Sequence, residues 1–174
     1  MALKATIFKA ELQVADMDRN YYADHALTLA RHPSETDERM MVRLLAFALN
    51  AHERLVFGPG LSDEDEPDLV LKDLTGAIEL WIEVGLPDER AVRRAAGRAG
   101  EVIVYSYGRG ADVWQRQVAP AFEGDKRITV VRLPDDSTRE LATLAKRNMR
   151  LQCTVQDGHA WITDGEASVA DDLE

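Results

Sequence analysis

Two short apolar runs on either side of a glycine constrain the fold of this chain more than any other segment. Residues 67–72 have the sequence PDLVLK, residues 81–85 have the sequence WIEVG, and Gly76 lies in the connection between them. Both runs have the aliphatic and β-branched composition of strands, and glycine favours a tight turn. The pattern predicts an antiparallel β-hairpin.

The expected register of this hairpin brings two acids together. The pairing that places Lys72 opposite Glu79 also places Asp68 opposite Glu83, on one face of the sheet. Directly opposed like charges destabilise a strand pair, so this arrangement implies a protonated acid, a solvated edge or a bound divalent cation. We take Mg²⁺ held by Asp68 and Glu83 as the working hypothesis, with an ordinary solvated pair as the alternative.

Length and composition favour a single globular domain over residues 1–174, because 45% of the residues are hydrophobic and glycine and proline fall between apolar runs. No apolar run approaches the length of a membrane helix, so we expect a cytoplasmic protein without a membrane partner. The lone Cys153 lies in an alternating run, which indicates a small buried side chain. The four histidines lack zinc-type spacing, so we expect no zinc.

Charge gives a mixed indication about nucleic acid. The formal net charge of -10 argues against it, because Lys and Arg supply most non-specific affinity for phosphate. Residues 86–150, however, hold 13 Lys and Arg against 9 Asp and Glu. This middle third is locally basic, although a solvated mixed surface with an acidic tail at residues 171–174 would have the same composition.

The remaining pattern predicts a mixed α/β fold with one central sheet flanked by helices, and with a β-hairpin at each end of the chain. Alternating runs predict the N-terminal hairpin, and residues 150–155 and 159–163 predict the C-terminal one. Ser34 is the expected N-cap of a long helix whose apolar stripe extends to Leu55. The strands at residues 102–105 and 128–131 should be parallel neighbours, since helical patterns separate them.

Two further features of the helices bear on this outline. Ser137 opens a capping-box pattern near the C-terminal end of the chain. Glu38 projects from the apolar side of the first helix, where an unpaired acid is costly. Glu38 is therefore a candidate third metal ligand, or else a partner of the helix dipole.

This order of elements resembles the core of the PD-(D/E)XK phosphodiesterase superfamily, with its restriction-endonuclease-like fold. More closely, the whole chain is similar to the YaeQ family of bacterial proteins. The similarity is carried by residues 2–6 (ALKAT), 30–39 (ARHPSETDER) and 81–87 (WIEVGLP). The resemblance implies the endonuclease-like fold with a variant active site.

In that superfamily an acid at the start of one strand and an acid on the next bind Mg²⁺, and a Lys two residues beyond the second acid supports catalysis. Asp68 and Glu83 match the two acids, but Gly85 occupies the Lys position. Lys72, Arg90 and Arg94 are the candidate replacements. An alternative alignment takes residues 79–81 as the motif, with Trp81 in place of the Lys.

Basic and aromatic groups suggest a phosphate-binding surface nearby. Arg90 and Arg94 lie one helical turn apart, and arginine forks match phosphate oxygens well, although such a stripe is also typical of a solvated helix face. Tyr107 follows a strand at its carboxyl end, where α/β sheets place ligand crevices, whereas Tyr105 should be core.

Two functions from different classes fit these features. One is a Mg²⁺-dependent phosphodiesterase that acts on nucleic acid. The other is a catalytically silent module that binds nucleic acid or protein, with a link to transcription implied by the family resemblance. Gly85 and the net charge favour the second function, and the pair of Asp68 and Glu83 favours the first.

Overall fold

A computed structural model describes residues 4–58 and 66–173, which form two compact units. The first unit combines the described residues up to Ala51 with those from Leu133 onward, and the second unit extends from His52 to Arg132. Each unit contains one five-stranded mixed sheet. The mixed α/β class is as predicted, and the strands predicted for the central sheet share the sheet of the second unit, whereas the terminal hairpins form a separate sheet in the first unit.

The strands and helices of the described residues follow one another along both units. In chain order they are β1 (Thr6–Asp16), β2 (Tyr21–Arg31), α1 (Asp37–Leu49), β3 (Leu55–Phe57), β4 (Leu69–Lys72), β5 (Ile78–Val84), α2 (Glu89–Arg98), β6 (Ala99–Ser106), α3 (Ala111–Gln117), a 3₁₀ helix (Ala119–Phe122), β7 (Ile128–Arg132), α4 (Asp135–Ala142), β8 (Asn148–Gln156), β9 (His159–Thr163) and β10 (Ser168–Asp172).

Both predicted hairpins are present in the first unit, and they join into one sheet. Its strand order is β10-β9-β8-β1-β2, in which β1 is antiparallel to β2 and parallel to β8. The hairpins share a sheet because each has one apolar face, and pairing them places both faces under α1 and α4. Cys153 lies on that face as predicted, and burial raises the pKa of its thiol to about 12.

The start of α1 corrects one expectation. Thr36, not Ser34, is the N-cap, because its hydroxyl accepts from the backbone N–H of Arg39 at 3.1 Å. The Ser34 hydroxyl is hydrogen-bonded to His32 instead. The helix also ends before the predicted stripe does, since Leu55 belongs to β3.

The second unit has the strand order β3-β4-β5-β6-β7, antiparallel as far as β5 and parallel from there. The parallel pairing of β6 with β7 is confirmed. A core of buried side chains from β5, β6, β7 and the adjoining helices includes Trp81, Val92, Val104 and Trp114. Tyr105 is also buried, as predicted.

The C-terminal part of the first unit differs from the sequence pattern in two ways. Pro134 occupies the N-cap position of α4, so the predicted capping box at Ser137 does not form. The Ser137 hydroxyl instead donates to Ala170 O at 2.7 Å. Residues of the acidic tail form β10, in which Asp171 is buried.

Within the described segments, the helices are too short or too polar to span a bilayer.

Candidate functional site

The hairpin of β4 and β5 has the predicted register over most of its length. Leu69 pairs with Ile82, in the register that we extrapolated to Asp68 and Glu83. A β-bulge just before Lys72 shifts the pairing at the turn, so that Lys72 pairs with Ile78. The expected pairing of Lys72 with Glu79 is therefore wrong, because an extra residue in one strand was not visible in the pattern.

Asp68 lies at the start of β4 and is 6% exposed. Its Oδ2 accepts from the backbone N–H of Val84 at 2.7 Å, and its own N–H donates to Ile82 O at 2.9 Å. These two bonds reach the residues immediately before and after Glu83. Asp68 is therefore held beside Glu83 on the neighbouring strand.

Glu83 is half-buried and is oriented by an indole. Trp81 Nε1 donates to Glu83 Oε1 at 2.7 Å, which places both side chains on one face of β5. The Trp81 ring is 1% exposed, and the Arg98 guanidinium carbon lies 4.9 Å from its centroid. A cation–π contact thus places a positive charge next to the residue that holds Glu83.

The backbone conformation at Gly85 explains why this position holds a glycine instead of the lysine of the superfamily motif. Its φ is +118°, a conformation that side chains with a Cβ rarely adopt, although a Cβ would meet no atom within 4 Å. Its N–H donates to Tyr105 O at 2.9 Å, which extends the contact between β5 and β6. The backbone, rather than crowding, disfavours a side chain at this position.

The remaining predicted site residues lie on or beside three different elements. Lys72 is exposed at the opposite end of β4 from Asp68, and its carbonyl accepts from Arg54 Nη1. Arg90 and Arg94 are exposed on α2, and Tyr107 is half-buried after β6. Their contact with substrate phosphate stays a prediction.

Glu38 belongs to the first unit, whereas Asp68 and Glu83 belong to the second. It is half-buried in the first turn of α1, and its Oε2 accepts from the Thr138 hydroxyl at 3.2 Å. Its role as a third metal ligand stays a prediction. Across residues 4–58 and 66–173, no three His, Cys, Asp or Glu side chains are grouped to hold a metal ion.

The structure adds two residues to the face that carries Glu83. Glu83 is in register with Val104, and two residues further along β6 Ser106 is in register with Arg132. Because side chains alternate along strands, Glu83, Ser106 and Arg132 share a face. Ser106 is fully buried, and its hydroxyl has no hydrogen-bond partner among the described residues.

The sequence pattern gives only weak indications that Arg132 and Arg98 belong to the site. Arg132 Nη2 donates to Asp112 at 3.3 Å, and its place at the end of a parallel strand was the only available signal. Arg98 follows Arg94 by one helical turn, but nothing in the pattern indicated its contact with Trp81.

Fold and site together define a mixed α/β protein with two five-stranded sheets and a pair of acids on one hairpin. The chain belongs to the YaeQ family, whose model matches residues 1–172. It is 50% identical to the YaeQ protein of Salmonella typhi and 48% identical to that of Escherichia coli K12, in each case over 94% of this chain and 91% of the relative.

Two crystal structures of YaeQ proteins have the same fold. The protein from Xanthomonas axonopodis pv. citri is 48% identical, with a TM-score of 0.93 over 97% of this chain and 96% of that one. The protein from Pseudomonas syringae is 38% identical, with a TM-score of 0.92 over 98% of this chain and 94% of that one. The likeness therefore extends over both units.

Proposed function

We propose that Asp68 and Glu83 form the centre of a Mg²⁺-dependent phosphodiesterase, in a variant of the PD-(D/E)XK endonuclease-like core. The observation that supports this proposal is the bond from Val84 N–H to Asp68, which ties the Asp68 carboxylate to the residue that follows Glu83. Mg²⁺ is commonly held by one or two carboxylates, with water and substrate phosphate completing its shell. The donor chemistry of this pair fits that ion.

The surrounding groups orient both carboxylates. The backbone N–H of Val84 and the indole N–H of Trp81 each donate to one acid. Hydrogen bonds to a carboxylate fix its direction, as a metal ligand requires. When bound, Mg²⁺ would neutralise charge on a scissile phosphate and acidify a water molecule.

Arg98 is the best candidate to replace the missing lysine. Its guanidinium lies against the Trp81 ring, and the indole N–H of the same ring donates to Glu83, so one aromatic side chain links a positive charge to this acid. A guanidinium stays protonated, so Arg98 would act by electrostatic attraction and not by proton transfer. Arg90, Arg94 and Tyr107 would hold the nucleic-acid backbone further from the chemistry.

Glu83→Gln tests the metal site. We expect the variant to lose Mg²⁺ and Mn²⁺ binding in calorimetry and to lose metal-dependent cleavage of DNA or RNA. Glu79→Gln is the matched control, because Glu79 is an exposed acid on the same strand. Loss of activity in the control alone would instead support the alternative motif at residues 79–81.

Arg94→Ala separates binding from chemistry. Removal of one phosphate contact should weaken nucleic-acid binding and reduce the slope of affinity against salt by about one, while metal binding is unchanged. Arg98→Ala should lower the cleavage rate more than it lowers nucleic-acid affinity.

A second candidate function is a silent module that binds nucleic acid or protein, linked to transcription. The specific observation in its favour is the positive φ of Gly85, which removes the usual catalytic lysine for a backbone reason. Binding of nucleic acid by the purified protein, without hydrolysis in Mg²⁺ or Mn²⁺ and with no effect of Glu83→Gln, would establish this alternative over the enzyme.

A further inference from the structure

The edge strand β2 has few of the features that normally prevent strand pairing. It is 11 residues long and lies at the end of its sheet, bonded on one side to β1. It contains no proline, and Asp24 is the only charged residue before Arg31 at its end. Natural edge strands are usually short or are protected by lysine, proline or bulges, so a long regular edge suggests a partner.

The hydrogen bonds of β1 show which backbone groups of β2 point outward. Lys9 N–H donates to Arg147 O, and Ile7 O accepts from the Arg147 side chain, so odd-numbered residues of β1 face β8. Even-numbered residues of β1 therefore bond to β2, and the register Phe8↔Leu29 assigns those bonds to odd-numbered residues of β2. The even-numbered residues of β2 present their N–H and C=O groups at the edge.

The available edge is bounded at both ends. Arg43 Nη2 donates to Ala30 O at 3.0 Å, which caps the carbonyl of the last even-numbered residue. Asn20, in the turn before the strand, has a positive φ of 55°. Within the described chain no other strand pairs with this edge. Four residues with outward backbone groups remain, and they are Tyr22, Asp24, Ala26 and Thr28.

We propose that β2 is a dimerisation edge, at which a second copy of this chain pairs antiparallel about a twofold axis at His25. In that register Tyr22 of each copy lies opposite Thr28 of the other, and Asp24 lies opposite Ala26. All four outward residues of both copies then exchange hydrogen bonds, eight in total by the ladder geometry. The two sheets become one sheet of ten strands with an isologous interface.

The neighbouring registers are less favourable. An axis at Asp24 sets the two Asp24 carboxylates directly opposite, which destabilises a strand pair. An axis at Ala26 pairs Tyr22 with Ala30, whose carbonyl already accepts from Arg43. The axis at His25 also continues the covered face, because half-buried Ala23 and His25 would meet the partner's Leu27 and His25. The inference is independent of the proposed phosphodiesterase activity.

Opposite charges at Ala26 test the register by sedimentation equilibrium. Ala26→Lys places a lysine opposite Asp24 twice in the dimer, and Ala26→Glu places two acids opposite each other twice. We expect the dimer dissociation constant to fall about two- to thirtyfold for Ala26→Lys and to rise by a similar factor for Ala26→Glu. Thermal melting of each variant checks that the protomer stays folded, since residue 26 also lies opposite Glu11.

Ala26→Pro tests the edge without changing charge. It removes an outward N–H and leaves the bonds between β1 and β2 in place. Because each copy loses one bond to the other, the dimer dissociation constant should rise about five- to 150-fold. In the wild type, amide exchange at residues 22, 24, 26 and 28 should slow with protein concentration. A wild type that stays monomeric would overturn the proposal, as would a dimer that responds to none of these variants or is weakened by both charges.

Discussion

At the scale of single residues, Asp171 is an acidic side chain in a buried environment that disfavours its charge. It is 1% exposed, and neither carboxylate oxygen has a hydrogen-bond partner among the described residues. Burial raises its pKa from 3.8 to about 6, the nearby Ser137 hydroxyl opposes this rise, and the charges of Asp172 and Glu140 add to it. The folded protein therefore retains the proton on Asp171 to a higher pH than the unfolded chain does.

This raised pKa predicts a pH dependence of stability. The stabilising contribution of protonated Asp171 is complete below about pH 4, falls as the pH rises, and is lost above about pH 6. Asp171→Asn stays neutral, so its free energy of unfolding relative to the wild type should increase by about 1–3 kcal/mol between pH 4 and pH 7. Urea titrations at both pH values measure the change. Glu166→Gln, at an exposed acid of the same unit, should show no such trend.

Glycine substitutions give a second prediction at this scale. Gly85→Ala should destabilise the protein by about 1–2 kcal/mol, because a Cβ disfavours the φ of +118°. Gly97 has open space around it and lies inside α2, so Gly97→Ala should stabilise by about 0.5–1 kcal/mol. Thermal melts of the two variants measure both stability changes. Equal stability of Gly85→Ala and wild type would remove the backbone explanation for the absent lysine.

The same positions show the extent to which the candidate site could be predicted. The adjacency of Asp68 and Glu83 follows from hairpin register, which is a local property. The contact of Arg98 with Trp81 depends on how α2 packs on the sheet. Such packing has no signature in residue spacing, which explains why Arg98 was passed over in favour of Arg90 and Arg94.

At the scale of elements, the start of α1 offers a matched pair of variants. Thr36→Ala should cost about 1 kcal/mol, because it removes the hydroxyl that accepts from Arg39 N–H. Ser34→Ala should cost less than half as much, since Ser34 lies outside the helix and is exposed. Chemical denaturation measures both changes. A larger loss of stability for Ser34→Ala than for Thr36→Ala would instead support Ser34 as the N-cap, as the sequence pattern predicted.

Hairpins and helices with strong local patterns were predictable from the sequence. The pairing of one hairpin with the other in the sheet was not. Both terminal hairpins and the pairing of β6 with β7 followed from alternation and element order. The junction of β1 with β8 did not, because it joins segments far apart in sequence and no local pattern encodes such a pairing. The strand β10 was missed because its acids suggested a solvated tail.

At the scale of the whole molecule, the second unit interrupts the first in sequence. The chain leaves the first unit at Ala51 and returns to it at Leu133. The second unit has its own apolar core around Trp81 and Trp114. The prediction of a single domain can be tested by dividing the chain at these points.

We expect residues 52–132, produced alone, to fold with a cooperative thermal transition, because the buried cluster around Trp81 and Trp114 consists entirely of their own side chains. A chain that ends at residue 132 should lose amide protection in β1, because β8 would be absent. Calorimetry and hydrogen exchange test the two expectations. A broad, non-cooperative melt of the isolated segment would support a single indivisible domain.

The parallel pairing of β1 with β8 has a consequence for the nascent chain. A ribosome must add 117 residues after Arg31 to reach Asn148. At roughly 5–20 residues per second, this takes roughly 6 to 23 seconds. The exit tunnel delays both segments alike, so the N-terminal hairpin lies outside the ribosome with both of its edges open for about this interval before β8 emerges. The order of synthesis therefore exposes the first-made part of this protein longest, and a chaperone that binds extended strands would find its target there.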